Sequence, residues 1–584
     1  MSALAPLVGR LRTASTVSPP TNVELAAMFE EIGDLLEIRG ENPFKVRAYR
    51  RAAGALLELT GPAWAMSDAE LHAIAGFGDA ITQKIVERVQ TGSLGFLERL
   101  HAEVPETVRE LVRLPGIGPK TAGKLLSAGI TSRLGVQQAV VDGRLVALVG
   151  QAAAERIGRG LVAAEPQSTR FDLSRATAAA ATGIEVLNAL PSVTRAEPAG
   201  SLRRAAERVG DVNLAAAALD PAAAQEALVA RLPEASRFDP LGVRFPLHGL
   251  IVAVRFAPPT AFGSLWQWWT GSVAHNEALA ARARDRGLRL TAFGIAPAGA
   301  DGFVDEESLY GALGLAWLPP ELRENRGEIA LAAEGRLPRL VTVSDLKGDL
   351  HVHTDWSDGA ESFERMVAGA TARGYAYLAI TDHSGGRAVA NGLDLTRLAK
   401  QIERIRRYNE ASPDGPLVLA GSEVDIRADG SLDYPDEALR QLDVVIASVH
   451  SAMDQPRETM TARLISAARH RYVTAIGHLT GRLIGRRDPV AVDVEAVLRA
   501  CAESSTWVEI NAHPSRLDLN EDHVRLAKEL GVLTLINTDA HSAEQFDLAV
   551  HGVGIARRAW LGPDDVVNTR SAAAMVAALG EKRR

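Results

Sequence analysis

The sequence has little cysteine, few aromatic residues and no long apolar runs. A single cysteine, Cys501, excludes an intramolecular disulfide and a thiolate metal cluster, and it is consistent with the reducing cytoplasm. Nothing approaches the ~18 apolar residues of a membrane span, so no membrane partner is expected. The net charge of −8 excludes a basic surface over the whole chain, so any nucleic-acid contact must be local. Residues 1–20 are predicted to be a flexible tail rather than a signal peptide.

The length of the chain and the uneven distribution of its histidines indicate several domains, one of them a candidate for metal binding. With 584 residues it is too long for one core, and three or four domains are expected. Ten of its 14 histidines lie beyond residue 350. Because imidazole is a common transition-metal ligand, the last two-fifths of the chain are the candidate metal-binding part.

Two short glycine pairs lie in an otherwise helical N-terminal part, which begins with NVELAAMFEEIGDLLEI after the candidate N-caps Thr21 and Asn22. They are Gly76 with Gly78 in IAGFGDAITQKI, and Gly116 with Gly118 in LPGIGPKTAGKL. Glycines between two helices let backbone N–H groups approach a phosphate closely, and Lys120 would add a positive charge. An ordinary packing turn is the alternative. The pattern resembles helix-hairpin-helix DNA-binding motifs and predicts hairpin regions over 21–100 and 101–170.

Lys84 is the candidate nucleophile of this part. It lies on the helix that follows the first glycine pair. Similar hairpins in family-X polymerases carry a Schiff-base lysine at the matching place, and such a lysine needs a lowered pKa to attack. A solvated surface lysine is the alternative interpretation.

The segment GSLRRAAERVGDVN (200–213) closely resembles the nucleotide-binding signature of family-X polymerases, and WWTGSVAHNEAL (268–279) resembles their nucleotide pocket. Residues 171–335 are therefore expected to form a nucleotidyltransferase-like α+β domain, with Asp211 as first metal ligand. The resemblance implies that a deoxynucleotide would be held by Gly200, Ser201, Arg203, Arg204, Thr270, Gly271 and Ser272.

The signature departs from the family pattern where metal ligands are needed. Asn213 replaces the second carboxylate, and a neutral amide is a weak ligand for a hard cation. The third carboxylate belongs on GLIVAVRFA (249–257), where Ala253 occupies the place. We therefore predict a region that binds DNA and is inactive in nucleotide addition.

Two more positions near the signature bear on this interpretation. Ala205 replaces a turn glycine of the pattern. Glu207 lies close in sequence but is expected to face a helix. Retained polymerase activity, with Asp211 and an unrecognised carboxylate, is the alternative.

Beyond a connector at 336–348, seven apolar runs alternate with helical segments and predict a parallel barrel over 349–584. The runs end in polar, metal-capable residues, which is where a barrel carries its active site. The candidate ligands are His351, His353, Asp358, His383, Glu423, His450, His478, Asp539 and His541. Imidazoles mixed with three carboxylates suit Mn²⁺, Zn²⁺ or Fe²⁺ better than Mg²⁺, and nine ligands fit two or three ions.

This ligand set matches the PHP (polymerase and histidinol phosphatase) family, whose fold is a distorted (β/α)7 barrel. The resemblance implies a trinuclear centre bridged by Glu423 and hydrolysis of phosphoesters, because clustered cations activate water and neutralise phosphate oxygens. Asp539, His353 and Glu423 are the candidate catalytic residues, with Asp539 or an imidazole accepting the proton. We expect Mn²⁺ or Zn²⁺ as the cofactor, two to three ions in the site.

Other polar residues of the barrel are assigned less directly. His470, His523 and His551 lie in helical patterns and are predicted to be structural, and His513 is left open. Arg516 is a candidate contact to substrate phosphate. Basic residues of GRLIGRRDP (481–489) face DNA or are solvated.

Taken together, the motifs resemble bacterial PolX-type proteins over nearly the whole chain, a family-X polymerase fused to a PHP phosphoesterase. The resemblance implies a cytoplasmic, nucleoid-associated DNA-repair enzyme acting on gapped, nicked or damaged DNA without sequence specificity. Its expected activities are 3′→5′ exonuclease, 3′-end processing or abasic-site endonuclease. The alternatives are an active gap-filling polymerase, a small-molecule phosphatase of the histidinol-phosphatase type and a non-enzymatic DNA-binding scaffold.

Overall fold

The computed structural model describes residues 20–59, 62–74, 76–112, 117–151, 153–154, 157, 173–296, 302–387 and 390–582. Residues 1–19 of the predicted tail and Gly116 of the second glycine pair lie outside these residues. The structure divides into two compact units, with the boundary between Ser168 and Thr169. None of the described helices combines the length and the apolar character that a membrane span requires.

The first unit is helical in the residues described. Its first helix begins after Thr21, whose side chain accepts a hydrogen bond from the Glu24 amide while Glu24 bonds back to the Thr21 amide. A short 3₁₀ turn lies at Ala63–Ala65. The helices are α1 (Asn22–Ile38), α2 (Pro43–Glu58), α3 (Asp68–His72), α4 (Asp79–Thr91), α5 (Gly95–Glu103), α6 (Glu106–Leu111), α7 (Pro119–Ser127), α8 (Arg133–Val141) and α9 (Arg144–Val149).

The first glycine pair lies between α3 and α4, as predicted, and Gly118 of the second pair lies directly before α7. Apolar residues from α1, α2, α4, α5 and α7 share one buried core. The helices α1 and α7 approach closely, because a Cβ at Gly123 would lie 2.4 Å from the Ile38 carbonyl oxygen. This packing holds the second hairpin against the first helix.

The second unit begins with a five-stranded sheet in the order β1-β2-β5-β4-β3. Strands β2 and β5 are parallel, and the other pairs are antiparallel. The strands are β1 (Val193–Pro198), β2 (Val212–Ala218), β3 (Ser236–Asp239), β4 (Gly242–Leu247) and β5 (Leu250–Ala257), followed by a hairpin of β6 (Arg289–Thr291) and β7 (Gly294–Ala296). The helices are α10 (Leu173–Asn188), α11 (Gly200–Arg203), α12 (Pro221–Arg231), α13 (Phe262–Thr270), α14 (Val273–Asp285), α15 (Glu306–Ala312) and α16 (Glu328–Ala333), with 3₁₀ turns at Pro259–Ala261 and Pro320–Leu322.

The rest of the unit is the barrel that the alternating pattern predicted. Its seven strands are parallel neighbours in the order β14-β13-β12-β11-β10-β9-β8, and the His353 amide bonds to the Ala540 carbonyl oxygen, which nearly closes the ring. The strands are β8 (Gly348–Val352), β9 (Tyr377–Ile380), β10 (Leu417–Asp425), β11 (Val444–Ser448), β12 (Ala475–Ile476), β13 (Trp507–Asn511) and β14 (Thr534–Asn537). The helices are α17 (Phe363–Ala372), α18 (Leu395–Ala411), α19 (Asp436–Leu439), α20 (Arg457–Ala468), α21 (Val494–Ser504), α22 (Glu521–Glu529), α23 (Ala549–Arg558) and α24 (Ala572–Lys582), with 3₁₀ turns at Val343–Asp345, Ala543–Leu548, Pro563–Asp565 and Val567–Thr569.

The sheet and the barrel are packed together. One buried apolar cluster includes Leu214 of β2 and Val352 of β8. The segment predicted as a connector is itself fixed to the barrel, because Leu340 and Val341 are buried and the Val341 amide bonds to the Leu561 carbonyl oxygen over 2.9 Å. The predicted fold class, helical hairpins followed by an α+β region and a barrel, is confirmed.

Candidate functional site

The nine predicted ligands converge at the carboxyl ends of the barrel strands. Eight of them form three groups whose donor atoms lie within 4.8 Å of one another. The groups share His353 and His383, so they adjoin. Their members are His353, Asp358, His383 and His541; His351, His353 and Asp539; and His383, Glu423 and His450.

Glu423 lies among the histidines. Its Oε2 is 2.9 Å from His383 Nδ1 and 3.6 Å from His353 Nε2. Its Oε1 is 2.8 Å from His478 Nε2, the ninth ligand, and 3.2 Å from His450 Nε2. A carboxylate with both oxygens facing imidazoles of different strands has the geometry that a bridging ligand requires.

The site fits divalent cations. Several buried imidazole nitrogens make no well-aligned hydrogen bond among the described residues, although carboxylate oxygens lie near some of them. They are His351 Nε2, both nitrogens of His353, His383 Nδ1 and His478 Nδ1. A buried polar atom without a partner is costly, and these atoms are the ligand type that transition metals prefer. A bound cation would satisfy them.

Residues that the sequence analysis missed orient these imidazoles. Glu509 of β13, fully buried, lies 2.6 Å from His351 Nδ1, and Asp425 of β10 lies 2.6 Å from His450 Nδ1. Each contact leaves Nε2 for a metal, which is how carboxylates fix ligand histidines. Asp425 follows Glu423 by two residues on one strand, so the period of two could have revealed it. Glu509 lies at no strand end, and no comparable signal pointed to it.

Protons compete with cations in this pocket. Burial alone lowers the pKa of His383, but Glu423 and Asp358 outweigh it and raise the pKa to about 10. Burial raises the pKa of Glu423, but His450 and His383 outweigh it and hold that pKa well below its usual range. Burial prevails at His478 and lowers its pKa to about 4. A cation bound at His383 would therefore displace a proton, and its affinity would fall in acid.

The remaining histidines stand apart from the three groups. His513 Nδ1 is 2.8 Å from the Ser515 hydroxyl. His470 follows α20 and its Nε2 lies 3.3 Å from Asp436. His523 and His551 lie on α22 and α23. The structural roles of His470, His523 and His551 remain predictions.

The loop residue Arg516 borders the pocket, whereas Arg482 lies away from the ligands. Arg516 Nε lies 3.6 Å from Asp539 Oδ2, so this guanidinium borders the ligands. Arg482, expected to face DNA or solvent, is buried instead and bonds to Glu207. Glu207 therefore faces the barrel and not the helix that was expected, because its partner is a loop 275 residues away in the chain.

In the described strands of the polymerase-like region, Asn213 and Ala253 stand where the family pattern has metal carboxylates. The register of β2 and β5 pairs Asn213 directly with Ala253. The Asn213 amide donates to Asp211 Oδ1 over 3.2 Å. The sequence contains no Asp or Glu between Asp239 and Glu277. One carboxylate where phosphoryl transfer uses several does not fit a pair of divalent cations.

The structure brings the GSLRR and TGS segments together, but their side chains bond within the protein. Arg203 donates to both oxygens of Glu306 and to the Thr270 hydroxyl. Arg204 donates to Glu324 over 2.9 Å and to the Thr270 carbonyl oxygen. Ser272 caps α14, and the left-handed backbone of Gly200 (φ +61°) and Gly271 (φ +69°) shapes the two turns.

The described hairpin residues are exposed. Gly76 has φ +94°, a conformation that favours glycine. Gly78 and Gly118 are the N-caps of α4 and α7, with open space beside their Cα atoms. Lys120 is exposed on the first turn of α7. The first backbone amides of both helices are thus accessible.

Lys84 lies against aromatic rings. Its Nζ is 4.8 Å from the centre of the Phe96 ring and 5.7 Å from that of Tyr49, and it donates to the Ala80 carbonyl oxygen. Burial lowers the pKa of this half-buried amine. A lowered pKa is what a Schiff-base lysine requires.

Comparison with known families reproduces the order of the regions. Residues 20–94 match the helix-hairpin-helix domain, and residues 108–161 match the SAM-like helix-hairpin-helix tandem. Residues 265–324 match the DNA polymerase beta thumb, and residues 349–513 match the PHP domain. The PHP domain is a metal-dependent phosphoesterase domain, so the protein is an enzyme.

One relative matches nearly the whole chain, and others match about a third of it. The chain is 35% identical to the DNA polymerase/3′-5′ exonuclease PolX of Bacillus subtilis (strain 168), over 94% of this chain and 97% of the relative. It is 30% identical to a probable phosphatase of Thermoanaerobacter sp. (strain X514), over 38% of this chain and 89% of that protein. A probable phosphatase of Shewanella halifaxensis (strain HAW-EB4) is 29% identical over 33% of this chain and 77% of its own length. The near full-length match and the shared order of regions show that the chain belongs to the PolX family.

Proposed function

We propose that the protein is a DNA-repair phosphodiesterase whose barrel hydrolyses DNA as a 3′→5′ exonuclease, 3′-end-processing enzyme or abasic-site endonuclease. Its polymerase-like region binds DNA and adds no nucleotides. One contrast carries the proposal. The nine candidate ligands of the barrel lie close together, whereas the polymerase-like region pairs Asn213 with Ala253 where the family pattern has carboxylates.

In this proposal the nine barrel ligands hold two or three Mn²⁺ or Zn²⁺ ions. The ions supply Lewis-acid stabilisation of the phosphate oxygens. Asp539, buried in the pocket, is the proposed proton acceptor, and His353 and Glu423 are proposed to hold the ligand geometry between neighbouring groups. Arg516 supplies a positive charge for a substrate phosphate beside Asp539.

The hairpins of regions 21–100 and 101–170 are proposed to hold the DNA backbone. The exposed helix starts at Gly78 and Gly118 offer amides to phosphates without reading bases. The second hairpin is better suited to bind an anion, because the positive Lys120 lies two residues after Gly118. In the first hairpin the negative Asp79 directly follows Gly78. Regions 171–335 and 349–584 would then receive the gapped, nicked or damaged end.

Hydrolysis of a labelled 3′-ended duplex in Mn²⁺ tests the proposal. His351→Ala removes a ligand from the centre and should lower the rate at least about 100-fold, because even residues that only orient metal ligands contribute 10–100-fold. His470→Ala, a histidine outside the three groups, is the matched control and should leave the rate unchanged. Equal rates for both variants and the wild type would contradict the proposal.

A phosphatase acting on small molecules is a second candidate, favoured by the relatives that are named probable phosphatases. It leaves the hairpins without a role. Parallel assays with DNA oligonucleotides and histidinol phosphate separate the two functions, and a preference for histidinol phosphate would replace the nuclease.

Nucleotide addition is a third candidate, since the Bacillus subtilis relative is named a polymerase as well as an exonuclease. Asp211 is the one carboxylate that the signature retains. Gap filling with wild type and Asp211→Ala tests it. Synthesis by the wild type that this substitution abolishes would show an active polymerase.

A further inference from the structure

Glu207 joins the polymerase-like signature to the barrel. It accepts a 2.7 Å hydrogen bond from Arg482 Nη2. The Arg482 side chain is 9% exposed and that of Glu207 is 31% exposed. The turn that presents Glu207 contains Ala205 at φ +53°. The largely buried guanidinium of Arg482 is thus paired with a carboxylate from another region of the fold.

Arg482 in turn holds the loop at 513–519. Its Nε donates to the Arg516 carbonyl oxygen over 2.8 Å, and its Nη2 also donates to the Leu517 carbonyl oxygen. Leu517 has φ +42°, which a leucine seldom adopts unless its surroundings fix it. The two bonds from Arg482 supply that restraint on both residues.

The same loop carries the arginine of the phosphoesterase pocket. The Arg516 side chain is 18% exposed and its Nε lies 3.6 Å from Asp539 Oδ2. The Arg516 and Leu517 amides bond back to the His513 carbonyl oxygen over 2.8 and 3.0 Å. Any shift of this short turn would therefore move the guanidinium relative to Asp539.

We propose that Glu207 is a positioning residue of the barrel site: it holds Arg482, which holds the loop that aims Arg516. The signature turn of the polymerase-like region thereby supports recognition of the phosphate at the other site. The expected effect on KM rests on the proposed phosphodiesterase function. The expected effect on the loop at 513–519 does not.

The test compares Glu207→Gln with Glu321→Gln. Both glutamates lie in the polymerase-like region and accept a hydrogen bond from an arginine of the barrel. The partner of Glu321 is Arg557, which also donates to the Val341 carbonyl oxygen and does not contact the loop at 513–519. Glu207→Gln should raise KM for the labelled duplex about tenfold with kcat within about twofold, as loss of ground-state binding does. Glu321→Gln should change neither constant. In an Arg516→Gln background, Glu207→Gln should add no further increase in KM.

Hydrogen exchange on the metal-free protein supplies a measurement that does not depend on activity. Glu207→Gln should speed exchange of the amides in 513–519 at least about fivefold, while Glu321→Gln should not, and Glu207→Asp, which keeps the charge, should restore part of the protection. Unchanged exchange in Glu207→Gln would overturn the inference even with the nuclease active. An equal increase in KM or in exchange for both variants would overturn it too, because it would indicate general loosening of the interface. If no variant hydrolyses DNA, the exchange result still decides the positioning role.

Discussion

Replacing Glu306 by glutamine should destabilise the polymerase-like region substantially. Glu306 is 2% exposed and receives both guanidinium groups of Arg203 and Arg323 through four bonds of 2.6 to 2.8 Å. The Trp317 indole donates a fifth over 3.0 Å. Glutamine keeps the shape but removes the charge, so two buried cations lose their shared partner.

The lowered pKa of Glu306 gives the size of the expected loss in the free energy of unfolding. Burial alone would raise this pKa, but Arg323 and Arg203 outweigh it and lower it from 4.5 to about 2. The difference of roughly 2.5 pKa units, at about 1.36 kcal/mol each, corresponds to about 3 kcal/mol at pH 7. Breaking a buried ion pair costs a similar amount, about 3–5 kcal/mol. Because the folded-state pKa is depressed, the contribution is complete above pH 4.5 and is lost as the pH falls through about 2, so roughly 2 kcal/mol should remain at pH 3.5.

Urea unfolding followed by tryptophan fluorescence measures this difference, since four of the eight tryptophans lie between residues 266 and 317. The free energy of unfolding should fall by about 3 kcal/mol in Glu306→Gln at pH 7, and the gap to wild type should narrow by about a third at pH 3.5. Glu307→Gln, the exposed neighbour, is the control and should change little. A loss below about 1 kcal/mol, or one that does not shrink in acid, would refute the electrostatic reasoning.

Three further predictions concern the polymerase-like region and the first hairpin region. Asn213→Asp combined with Ala253→Asp should gather carboxylates beside Asp211 and yield Mn²⁺-dependent gap filling, which the wild type should not show. It should also give a larger Mn²⁺-dependent rise in melting temperature than the wild type, whose barrel is proposed to bind the ion as well. Ala205→Gly should raise the free energy of unfolding by up to about 1 kcal/mol in urea titrations, because alanine at φ +53° carries a steric cost that glycine avoids. The Schiff-base role of Lys84 predicts a borohydride-trapped adduct with abasic DNA that Lys84→Ala abolishes and Lys120→Ala retains; an adduct in both variants would place the nucleophile elsewhere.

The barrel and its ligands follow from local pattern. Each apolar run of suitable length predicts a strand, and parallel strands place their carboxyl ends at one rim. His351 lies on β8 and His353 directly follows that strand, so the alternation of side chains along an extended segment was enough to predict that both point to one side. The predicted ligands are brought together for this reason, although they come from widely separated segments.

The partners of buried charges did not follow from the sequence. Arg203 was expected to meet a nucleotide, and its carboxylate partner, Glu306, lies 103 residues further on. Glu207 was expected to face a helix, and it meets Arg482. Local periodicity says which face of an element is apolar but not which distant element brings a counter-charge, so such pairs emerge only from the packed fold.

The same pairs explain how a region without its metal carboxylates remains integral to the protein. Arg558 of α23 donates to the Arg204 carbonyl oxygen and to Glu324, while Arg482 bonds to Glu207. The Arg558 and Arg482 side chains are 7% and 9% exposed. Removing the signature would leave the Arg482 guanidinium without the Glu207 carboxylate and the Arg558 guanidinium without the Arg204 carbonyl oxygen, and an uncompensated buried charge costs several kcal/mol. The segment therefore contacts the barrel through bonds that nucleotide chemistry does not require, so the proposed loss of nucleotide addition would leave this support of the barrel intact.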